Sequence, residues 1–107
     1  MLTPDLIREQ ILGVRAELRR APDVLQELEL AAEQADLAAD TVFHKAFLDA
    51  DGAVDVRKAV AKLAAGGLYS DASVARAAFN RGRLKVRLLE AELMSLQALL
   101  KSVQAEL

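Results

Sequence analysis

From Asp71 to Leu107, apolar and small side chains recur at spacings of four and three: Ala72, Ala75, Phe79, Gly82, Val86, Leu89, Leu93, Leu96, Leu100, Val103 and Leu107. About five heptads held in one phase are the signature of a long helix packed along its length against other helices. At ~1.5 Å per residue such a helix is roughly 54 Å long, too extended for a compact ball of this chain length. An elongated antiparallel hairpin or bundle with a long, coiled-coil-like C-terminal helix is the arrangement that accommodates it.

Composition points the same way. Ala and Leu dominate an apolar fraction of 53%, while aromatic residues make up only 4% and tryptophan is absent. Small and medium side chains let helices approach closely, whereas sandwiches and barrels draw on Val, Ile and Tyr with frequent turns. The 107 residues are material for a single helical domain. There is no cysteine, which excludes disulfide scaffolds, thiolate metal sites and cysteine nucleophiles together. No basic segment precedes an apolar run at the N-terminus, and no stretch approaches the ~20 apolar residues of a membrane span. A cytoplasmic protein without membrane contact is expected.

Punctuation residues predict four helices. Thr3-Pro4-Asp5 supplies a capping hydroxyl, a proline at a position where its missing N-H costs nothing, and a carboxylate for the positive helix end. Ile7, Ile11, Val14 and Leu18 line one face of a helix over about 4–20. Pro22 is expected to end it and open a second helix over about 22–50, with the seam Leu28, Ala32, Ala35, Ala39, Val42 and Ala46. Asp51-Gly52 stops that helix. A third, over about 54–65, is expected to end at Gly66-Gly67. Ser70 would then cap a fourth over 71–106, with Tyr69 packing on Val74 as a staple. Asn80-Arg81-Gly82 resembles a turn, but the seam passes through Gly82 in phase and keeps the segment helical.

The charge layout is uneven. Residues 1–56 hold five basic and twelve acidic groups, and residues 57–87 hold eight basic groups against Asp71 alone. The cluster Arg76, Arg81, Arg83, Lys85 and Arg87 reads in two ways. It is a stripe able to track phosphates or an acidic partner, or it complements Glu27, Glu29, Glu33, Asp36 and Asp40 on the neighbouring helix. Heptad positions favour the second reading. With Phe79 at a, Arg76 and Arg83 fall at e and Lys85 at g, flanking the seam, while Arg81 and Arg87 point outward. No aromatic residue is interleaved to stack on bases.

Catalytic and metal-binding patterns are lacking. His44 is the only histidine, and no HExxH accompanies it. The segment Asp49 to Asp55 superficially resembles a calcium loop, but its glycine falls at the fourth place and no closing glutamate follows. Gly66-Gly67 lacks the Lys-Ser/Thr of a phosphate-binding loop. Glu90 and Glu92 diverge on a helix and form no acid/base dyad. No cofactor and no enzymatic activity are expected.

The run from Phe43 through Asp51-Gly52 and Arg57-Lys58-Ala59 to Leu63, with the later run from Leu84 to Glu106 including Leu93-x-x-Leu96-Gln97-x-Leu99, resembles small helical proteins of tailed phages and prophages, especially of actinobacteria. The similarity covers about residues 40–106. In that group a helix ends near a glycine, an Arg-Lys-Ala helix follows, and a leucine-rich helix closes the chain. Gly66-Gly67 departs from the more continuous helix of the group. The resemblance implies a phage accessory protein encoded near DNA replication and recombination functions. The WXG-type secreted hairpins match in size, but their Trp-x-Gly turn is missing.

These readings converge on a non-enzymatic helical adaptor that self-associates within a phage-type DNA-metabolism or assembly complex. Its expected interface is Phe79, Val86, Leu89, Leu93, Leu96, Leu100 and Val103, with outward Leu84, Leu88 and Met94 widening the apolar surface. The alternatives are a nucleic-acid-binding accessory protein using residues 76–87 and a virion or tail-assembly component.

Overall fold

The computed structural model describes residues 2–106. They form two helices, α1 (Pro4–Asp49) and α2 (Val54–Ala105), joined by residues 50–53, with no strand among the described residues. The protein is all-α, an antiparallel helical hairpin. Two compact units make it up: one comprises Met1–Leu25 with Arg81–Leu107, the other Gln26–Asn80. Leu107, the last position of the predicted seam, lies outside the described residues.

Where four helices were expected, two are present. α1 runs through Pro22, and α2 runs through both Gly66-Gly67 and Asn80-Arg81-Gly82. A proline inside a helix costs about 3 kcal/mol and a glycine about 1 kcal/mol relative to alanine. Those penalties are local, whereas breaking the helix would throw a whole seam out of phase. Ala21 and Leu25 carry the spacing from Leu18 to Leu28 without slippage, and Leu68 carries it from Ala65 to Ala72. Pro22 is itself exposed, so water can satisfy the Leu18 carbonyl that loses its donor. Ser70 and Tyr69 are therefore interior helical residues, not a cap and a staple.

The ends follow the expected chemistry. Thr3 Oγ1 accepts a hydrogen bond from the Leu6 backbone N-H at 3.2 Å, and the Thr3 carbonyl accepts one from Ile7 at 3.1 Å. At the reversal, Gly52 takes φ 106°, a left-handed conformation that side chains with a Cβ resist.

The two units differ in what fills their seams. In the unit Gln26–Asn80, alanines 32, 39, 61, 65 and 72 are buried, which allows the helix axes to approach to about 8 Å. In the other unit the seam is built of larger side chains. Ile7, Ile11 and Val14 are buried, and Leu89, Leu93, Leu96 and Leu100 are half-buried.

Candidate interaction surface

The predicted interface seam is engaged largely within the chain. Val86 and Leu89 share the walls of a 210 Å³ cleft with Ala21, Val24 and Leu25 of α1. Leu100 lines a second cleft, of 330 Å³, with Ile11 and Leu12. Leu93, Leu96 and Val103, in phase with these, are half-buried, as is Phe79. The first cleft opens where Ala21 and Gly82 occupy seam positions, because neither fills the space a leucine would. Its rim carries Arg20, Glu17 and Lys85, and both clefts are shallow grooves in the pairing of the two helices.

The basic cluster divides. Arg76 Nη2 lies 2.9 Å from Asp36 Oδ2, joining the two helices as the heptad positions required. Both partners are about half exposed, so the pair contributes at most about 1 kcal/mol. Lys85 approaches Glu17 at 3.9 Å, a partner nearer the N-terminus than the acidic stretch expected to receive it. Arg81, Arg83 and Arg87 are exposed, and Arg81 and Arg87 form no ion pair among the described residues. Asp40 takes a neutral partner: the Tyr69 hydroxyl donates to its Oδ1 at 2.7 Å. This hydrogen bond, foremost, raises the Tyr69 pKa above its ordinary 10.0, with further contributions from desolvation and the charges of Asp40 and Asp36.

Near the reversal, Arg57 Nε donates to the Phe47 carbonyl at 3.0 Å, and its guanidinium sits 4.4 Å from the centre of the Phe47 ring. One side chain thus satisfies a carbonyl in the last turn of α1 and stacks on an aromatic face. His44 is exposed and meets Phe43 edge-on, with ring centroids 5.7 Å apart. Among the described residues no group of three or more His, Cys, Asp or Glu side chains is placed to hold a metal ion. No helix is long and apolar enough to cross a membrane.

A second stripe runs along α2, offset by two residues from the first. In the unit containing Arg81–Leu107 it comprises Leu84, Leu88, Ala91, Ser95, Ala98, Ser102 and Ala105, all exposed, with Leu84 and Leu88 at 55% and 62%. In the other unit it comprises Val60, Leu63, Gly67, Ser70, Val74 and the half-buried Ala77. None of these thirteen positions is charged; Arg81, in phase between Ala77 and Leu84, is the one charged side chain along the stripe. The corresponding outward stripe of α1 is interrupted by Glu9, Arg20, Asp23 and Glu27. The signal was readable: the same spacing of four and three, searched in a second phase, exposes it. Comparison with protein families, curated proteins and solved structures yields no match that would assign the chain to a known group.

Proposed function

We propose that this protein is a non-enzymatic helical adaptor, working in the cell interior by helix-on-helix association through α2 and self-associating as part of that role. The carrying observation is the outward stripe of α2 over residues 84–105, exposed and without a charged side chain, whereas the outward stripe of α1 carries Glu9, Arg20, Asp23 and Glu27 before the exposed Leu30, Leu37 and Leu48. The resemblance to phage accessory proteins makes a DNA-metabolism or assembly complex the setting.

A second reading, nucleic-acid binding, draws support from Arg81 and Arg87, which are exposed and without ion pairs among the described residues. Light scattering across a concentration series, with and without a short DNA duplex, separates the two. The adaptor reading expects a mass that rises above 11.6 kDa with concentration and is unaffected by DNA. A monomer that binds duplex at low salt and releases it steeply as salt rises supports the second reading instead.

A further inference from the structure

The outward stripe of α2 has an internal order. Along Leu84, Leu88, Ala91 and Ser95, two large side chains are followed by two small ones. Its flank shows a matching polarity, with Lys85, 71% exposed although 3.9 Å from Glu17, one heptad from Glu92 on the same side. Both asymmetries are of the kind that a two-fold axis resolves. If a second helix of identical sequence runs in the opposite direction, with the axis passing between Leu88 and Ala91, each leucine meets a small residue. Leu88 faces the other copy's alanine at 91, Leu84 faces its serine at 95, and Lys85 lies beside its glutamate at 92. A parallel pairing does the reverse, setting leucine on leucine and Lys85 and Arg87 against their own copies, a like-charge arrangement that is unfavourable.

We infer that a second copy of this chain docks antiparallel on the outward stripe of α2 in the unit containing Arg81–Leu107, giving a dimer with a two-fold axis beside Leu88. This rests on the adaptor reading and names its first partner. The seam facing α1 is then left to hold the hairpin, and the outward seam makes the assembly, so the same helix serves two neighbours. The contact is isologous, closing on itself without propagating.

The chain contains no cysteine, so introduced thiols report proximity without background. Leu84→Cys and Ser95→Cys chains are mixed under mild oxidation, and mass in solution is followed for the unmodified protein and for Leu88→Glu. A disulfide joining the two different variants is expected, with little linkage of Leu84→Cys chains to each other, because those positions lie ~16 Å apart across the axis, beyond disulfide reach. Leu88→Glu is expected to weaken association at least tenfold with unchanged helical circular dichroism, since Leu88 is exposed in the hairpin. Efficient linkage of Leu84→Cys to itself overturns the antiparallel pairing while leaving self-association standing. Dimer mass with neither linkage, or a Leu88→Glu protein that associates normally, overturns the choice of face. A monomer at every concentration overturns this inference and the self-association in the adaptor reading together.

Discussion

The Tyr69 hydroxyl and the Asp40 carboxylate form a bridge between the helices whose strength depends on the phenol keeping its proton. Because the folded-state pKa is raised above the unfolded value, the stabilisation is complete below about pH 10 and disappears as pH climbs through the folded-state value. Tyr69 is the chain's only tyrosine and no tryptophan is present, so phenolate absorbance titrates this one group. Its midpoint should lie above 10.0, and Asp40→Asn should bring it back toward that value. At Arg57 two interactions depend on one guanidinium. Arg57→Ala should cost about 1–2 kcal/mol in urea denaturation, the worth of a charged hydrogen bond plus a modest cation-π contact. Neither role is legible in the sequence: the residues around Tyr69 read as a helix start, and Arg57 lies off the apolar seam.

At the scale of the helix, phase was the better guide and punctuation the worse. The seam argument that kept Gly82 helical applies equally at Pro22 and Gly66-Gly67, where Ala21, Leu25 and Leu68 hold the spacing. Propensity is a local preference, and a seam sums over many turns, so the seam decides where a helix ends. The true stop, at Asp51-Gly52, is where φ becomes positive. The internal breakers keep their local penalty even where the seam outweighs it. Pro22→Ala should raise stability by about 3 kcal/mol, and Gly66→Ala by about 1 kcal/mol. A Cβ built at Gly66 meets no atom within 4 Å, so no clash offsets the gain. Midpoints of guanidinium unfolding, with unchanged slopes, are the check.

For the molecule as a whole, the all-α hairpin was readable from its apolar periodicity, and the Arg76–Asp36 pair from its heptad position. The role of the leucine seam was not, because a stripe records only that something covers it and is silent on whether the cover comes from the same chain. Here the seam is half-buried, with Val86, Leu89 and Leu100 beside α1, while the outward stripe over residues 84–105 stays exposed. The reversal at residues 50–53 gives this arrangement a further property. All the doubling-back is confined to a connector with one left-handed glycine. Deleting Gly52 and Ala53 should make so tight a bend unattainable without harming either seam. Each α1 would then find its complement on another molecule, and the expected product is an exchanged dimer of twice the mass with nearly unaltered helix content. Chromatography after refolding at low and high concentration would detect it. In such a species the connector, not the sequence of the seams, would decide whether a helix is bound to its own sister or to a stranger's.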